Sequence, residues 1–329
     1  MTTTSAHSPR ALPKINFGST WLSLALIALM IIYPFVFGKN MNWGIATLIF
    51  AGLALSWNIL GGWTGQESFG HAALAGVGAY TLTLLAIHYQ IAPWWGALIG
   101  MALATLLSLG WGWLTFRLRG AYFTLSSIAI ALLIRIYAIN DPNKFTGGSE
   151  GLFMPDLPTF FGLDLFDRRV EYWLAFAFVL LVLLITHVIR RSRLGYALLA
   201  VREDEESARA LGINPLRMKM TAFAISAALT ALGGCIYAIY LQAFEPHTLL
   251  ELPLSIQIAL MAIIGGRSSI QGPILGAIVI LGLGELTRSF LGEANLLIYG
   301  FLILIVTLFA PGGIMGLFNK TGAKLGKAR

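Results

Sequence analysis

Charge and cysteine are what this sequence has least of. Only 11% of its 329 residues are charged, against roughly a quarter in soluble domains, while 57% are hydrophobic and the mean hydropathy is +0.78. A soluble fold has no interior large enough to hide so much apolar side chain, so that class is excluded. The one cysteine, Cys235, stands inside an apolar run. It offers no disulfide framework and no paired-thiol metal site, and reads as a small buried apolar residue. The motifs of catalysis are missing too: no G-x-x-x-x-G-K-[ST], no H-E-x-x-H and no G-x-S-x-G. The five histidines, His7, His71, His88, His187 and His247, are scattered over separate segments. ATP hydrolysis within the chain is therefore excluded, and an enzyme, which needs His or acid residues clustered on neighbouring spans, is not supported. No catalytic residue, metal site or cofactor is expected.

What the sequence has in abundance is long apolar runs. Segments of spanning length fall near 20–38, 42–60, 70–89, 94–116, 120–139, 172–189, 220–242, 252–265, 271–291 and 294–310. The expectation is an all-α, polytopic transmembrane helical bundle of about ten spans. The eighth run is short and the ninth and tenth are tightly joined, so re-entrant segments fit there as well. Residues 1–19 form a polar N-terminal tail, 20–317 a single transmembrane domain, and 318–329 a basic tail. The first run has no small-residue cleavage site after it and reads as an uncleaved span.

The net charge of +7 comes from residues between the runs, not from a basic stripe interleaved with aromatics, so lipid headgroups rather than nucleic acid are the expected partner. With the N-terminus inside, 16 of the 22 Lys and Arg residues fall on cytoplasmic segments, as positive-inside insertion requires. Both termini are then cytoplasmic, and an even span count, which puts them on one side, agrees. Arg135 and Glu285 are the charges nearest membrane depth. Both lie toward the outer parts of their runs, where snorkelling accounts for them. With no buried ion relay in view, a stand-alone secondary transporter or channel is disfavoured.

Two connections are long. The outer one, 140–171, is rich in Gly and Pro with several acids, and reads as an ordered loop able to receive a partner or cap a pathway. The inner one, 190–219, contains helical pieces at 195–201 and 203–211. Acids Glu203 to Glu206 open the second piece, where the helix dipole favours them, and Gly212 with Asn214 and Pro215 supplies a stop. Ala208, Leu211 and Ile213 give it an apolar face that a mere solvated connector does not need.

Two glycine-rich stretches follow spans. One runs from Gly61 through Gly65, Gln66, Glu67, Ser68, Gly70 and His71 to Tyr80; the other from Gly265 and Gly266 through Gln271 and Gly272 to Gly276. Their likeness suggests internal duplication. Such composition serves close helix packing and equally a broken helix lining a pathway; for Gln66, Ser68 and His71 both readings fit.

Taken in order, these segments resemble the LivM-type permease of branched-chain amino acid ABC importers. The likeness covers about 40–317. It is carried by Gly-Trp-Thr-Gly-Gln-Glu-Ser-Phe-Gly-His at 62–71, by Arg119 to Phe123 with Thr146 to Leu152, by Ser192 through Gly212, and by Gly265 to Gly276 with Pro311 to Leu317. The resemblance implies a non-catalytic subunit of a prokaryotic cytoplasmic membrane transporter. Its partners would be a second homologous permease, two separate ATP-binding subunits and a periplasmic or extracellular solute-binding protein. Glu206, Ala208, Gly212, Asn214 and Pro215 would belong to the segment that docks on the ATPase. Candidate pathway or helix-break residues are Gly65, Gln66, Ser68, Gly70, His71 and Gly272. Glu67 departs from the apolar residue usual in the family, as Leu74 does from a Phe. A urea or short-chain amide importer permease is the alternative.

Overall fold

The computed structural model describes residues 17–118, 121–141, 145–156, 164–291 and 312–316. Twelve helices occupy most of that length: α1 (Phe17–Val36), α2 (Met41–Thr64), α3 (His71–Tyr89), α4 (Pro93–Thr115), α5 (Ala121–Ile139), α6 (Arg168–Arg191), α7 (Arg193–Glu203), α8 (Glu205–Ala210), α9 (Pro215–Leu241), α10 (Pro246–Leu249), α11 (Leu252–Gly266) and α12 (Gly272–Leu291). Two short strands, β1 (Leu152–Phe153) and β2 (Ala243–Phe244), pair antiparallel.

Seven stretches among the described residues are long and apolar enough to cross a membrane: α2 to α6, α9, and α10 with α11, running 19 to 27 residues. A helix needs about 20 residues to cross the hydrocarbon layer. The expected eighth span is thus lengthened by the short α10 in front of it. The expected first and ninth spans are helical, with shorter apolar stretches at Leu24–Val36 and Gly272–Glu285. The tenth, 294–310, lies outside the described residues, as do both tails beyond Phe17 and Gly316.

Helix α2 is the axis of the bundle. It is apolar on every side, which suits a helix with no solvent-facing stripe, and from Leu48 to Thr64 every residue is buried. It packs against α6, α9, α11 and α12, while α3 and α4 close on α9 from the other side. Small residues set that second interface. A Cβ on Gly234 of α9 would stand 1.9 Å from the Ala75 carbonyl oxygen of α3, and one on Gly78 of α3 would stand 2.1 Å from that of Ala231. The two backbones touch because neither carries a side chain there. The outer faces of α4, α5 and α6 expose Leu106, Leu114, Leu133 and Leu184, the surface that acyl chains would cover.

Connections alternate between two ends. At one end β1 pairs with β2, tying the 145–156 segment to the α9–α10 connection, and Gly151 is packed so closely that a Cβ would stand 2.3 Å from the Phe244 oxygen. The described part of the expected outer loop is here a fitted cap, and its residues 142–144 and 157–163 lie outside the described residues. Arg135 does not simply snorkel. Its Nη2 donates to His247 Nδ1 at 2.7 Å and to Glu251 Oε1 at 3.1 Å, because the α10–α11 connection brings acceptors within reach of α5. Glu285 is exposed on α12.

Candidate functional site

The other end carries the 192–214 segment, narrower than the 190–219 expected because α6 runs on to Arg191 and α9 begins at Pro215. Each of its junctions is capped. Ser192 accepts from the Gly195 amide at 3.4 Å, Asp204 from Ser207 at 2.6 Å and Asn214 from Arg217 at 3.1 Å, so α7, α8 and α9 each start on a side-chain cap. The Ser207 amide holds the Asp204 carboxyl below the usual aspartate range. Helix α8 ends in a Schellman pair, Ile213 N–H to the Ala208 carbonyl at 3.0 Å and Gly212 N–H to that of Arg209 at 2.9 Å. Gly212 supplies the left-handed residue this requires, at φ +83°, and Pro215 sits where a missing N–H costs nothing. Lys219 of α9 is buried and paired with Glu205, which pins α8 to the membrane helix.

The expected apolar face of this segment is split. Ala208 is 1% exposed and turned inward, Ile213 is half-buried, and Leu211 projects with 79% of its surface free. The pin between α8 and α9 rolls Ala208 inward, so outward apolar surface comes from Leu211 together with Tyr196 of α7, 64% exposed. Glu206 lies on the exposed side of α8.

Next to this segment the two glycine-rich turns meet. Asn58, wholly buried near the end of α2, donates from Nδ2 to the Ser269 carbonyl at 2.9 Å and accepts at Oδ1 from the Ser268 amide at 3.1 Å. The Ser268 hydroxyl donates to the Gly62 carbonyl at 2.6 Å, and Arg202 of α7 donates to that same carbonyl at 3.0 Å and to the Ser268 hydroxyl. Glu67 pairs with Arg267 at 2.6 Å. Its charge is therefore met by the facing turn. A cleft of about 300 Å3 opens between Thr64, Gly65 and Gln66 on one side and residues 201–206 on the other.

The remaining candidates lie at the link between α2 and α3, except Gly272, which opens α12 beyond the facing turn. Gly65 ends α2 in the left-handed region at φ +73°. Ser68 is buried and its carbonyl accepts from Trp57 Nε1 at 2.7 Å. A Cβ on Gly70 would stand 2.1 Å from the Trp111 ring, and the Gly272 amide donates to the Ser269 hydroxyl at 2.9 Å. His71 is wholly buried. Its Nε2 shares a hydrogen bond of 2.9 Å with Ser226 Oγ, which donates to the Ser56 carbonyl at 2.7 Å, while Nδ1 has no partner among the described residues. Gln66 alone of the polar three is half-exposed, at the cleft. Sequence reasoning missed Asn58, Arg202, Ser226 and Ser268. Asn58 and Ser226 were signalled only as polar residues inside apolar runs, and Ser268 only by lying in the second glycine-rich stretch.

A family model described as the branched-chain amino acid transport system permease component matches residues 40–309. The permease protein LivM of the high-affinity branched-chain amino acid transport system of Escherichia coli K12 is 29% identical over 92% of this chain and 77% of its own length. The LivH permease protein of Salmonella typhi is 24% identical over 81% of this chain and 91% of its own. BraD of Pseudomonas aeruginosa, a permease protein of the same kind of system, is 33% identical over 40% of this chain and 43% of its own. No solved structure matches.

Proposed function

The chain belongs to the branched-chain amino acid transport permease family, and from that premise we propose that it is the membrane subunit of an ATP-driven importer, forming the pathway for branched-chain or similar hydrophobic amino acids. The observation that carries the coupling half of this reading is the 192–214 segment. Capped at every junction and pinned by Lys219 to Glu205, it presents Leu211 and Tyr196 to solvent, and an exposed apolar side chain on a rigid mount is what a docking partner buries. The partner is a separate ATPase subunit, since the sequence has no phosphate-binding loop of its own. Closure of two such subunits on ATP would drag the segment and switch the bundle between its two open states.

The end bearing this segment holds Arg190, Arg191, Arg193, Arg202, Arg209, Arg217 and Arg267, which supports its cytoplasmic placement with both termini on that side. The opposite end would meet a solute-binding protein through the β1–β2 cap. Similarity to both LivM and LivH proteins supports pairing with a second, homologous permease in the inner membrane. The names of the relatives favour branched-chain amino acids over urea or a short amide. Replacement Leu211→Asp puts a charge at the centre of the docking surface. The ATPase subunits should then fail to copurify with a protein that still inserts and melts normally; undiminished copurification would remove Leu211 from the interface.

A further inference from the structure

Three non-glycine residues among those described have positive φ: Gln90, Gln242 and Ser268. The first two are the C-cap residues of α3 and α9, and Gln90 lies in the left-handed region usual at a helix end. Ser268, at φ +62°, lies two residues beyond the last residue of α11, Gly266, and past its C-cap Arg267. A strained residue persists only where its surroundings over-determine it, and such residues gather at switch regions. The surroundings here are specific. Asn58 of α2 takes the Ser268 amide, and the Gly62 carbonyl takes its hydroxyl proton. Arg202, in the last turn of α7, donates to both the hydroxyl and the carbonyl.

The Gly62 carbonyl is one of the final four of α2, which have no acceptor role left within the helix. It is instead filled by one donor from the α11–α12 turn and one from α7. Three elements, separated along the chain by 140 residues from Gly62 to Arg202 and by 66 from Arg202 to Ser268, thus converge on one oxygen. The neighbouring Glu67–Arg267 pair spans the same two turns but both members are more than a third exposed, so it holds them weakly.

We infer that Arg202 is a positioning residue for transport: displacement of the docked segment reaches the ends of α2 and of α11 through its guanidinium and Ser268, not through helix packing alone. This rests on the reading that the 192–214 segment docks on an ATPase. Arg202 stands two residues before Asp204, the α7–α8 junction, and cannot stay bonded to Gly62 if α7 moves while α2 does not.

The test is the number of leucine molecules imported per ATP hydrolysed by the complete complex, with its second permease, ATPases and binding protein in proteoliposomes. Arg202→Gln should lower that ratio about tenfold, the scale of one charge-assisted hydrogen bond, with hydrolysis continuing. Ser268→Gly removes the hydroxyl and relieves the positive φ, so it should also lower the ratio while leaving thermal stability unchanged or raised. A merely structural node would give the reverse, a lower melting temperature with the ratio intact. An unchanged ratio in Ser268→Gly, or in both variants, overturns the inference while leaving the importer reading standing. Absence of leucine uptake by the wild-type complex would defeat that reading and this one together.

Discussion

At the scale of single residues, what matters is whether a position is fixed by space or by backbone conformation. Gly234 is fixed by space, with the Ala75 carbonyl lying where its Cβ would be. Gly212 is the opposite case: nothing lies within 4 Å of a Cβ there, yet φ is +83°. Gly212→Asn should therefore be tolerated, because Asn enters the left-handed region at little cost. Gly212→Val should weaken the Schellman turn by about 1–3 kcal/mol and uncouple ATP hydrolysis from uptake. Equal coupling ratios for the two variants would show that the turn's geometry is irrelevant. That Gly212 stops α8 was legible in the sequence, since Gly followed by Asn-Pro is punctuation. That His71 bonds to Ser226, 155 residues away, was not legible, because a polar residue in an apolar run announces a partner without saying which one.

At the scale of elements, the stability of the 192–214 segment rests on one ion pair at its base. Lys219 is buried against Glu205, which is itself only partly covered. Removing the acid leaves an ammonium group facing an apolar helix junction, whereas removing both charges leaves none. Glu205→Ala alone should lower stability by about 1–3 kcal/mol, and Lys219→Met added to it should recover most of the loss, as read from melting of the purified protein. If the double variant is no more stable than the single, the pair does not hold α8 in place. The helices themselves were readable from apolar run length, and their ends shifted by a few residues where caps such as Ser192 and Asp167 set them. The orientation of α8 was not readable. Its apolar residues announce two buried directions, and only the pairing of Glu205 with Lys219 decides that Ala208 goes inward and Leu211 outward.

At the scale of the whole molecule, a central apolar helix is surrounded by others that touch it through small residues, and the two glycine-rich turns meet at one end beside the only capped extramembrane helices among the described residues. Composition alone announced the membrane bundle, since so few charges leave no other class. The likeness of the two turns was visible in sequence, but their mutual contact through Asn58, Ser268 and Gly62 joins segments some 200 residues apart, and no local pattern encodes that. The arrangement suits the proposed conversion of movement at one end into opening at the other. The central claim is tested most directly by uptake of labelled leucine into proteoliposomes holding the complete complex, with ATP inside and binding protein outside. Uptake that requires ATP, the binding protein and this chain is the predicted result; leucine uptake by this chain alone, without ATP, would contradict the account.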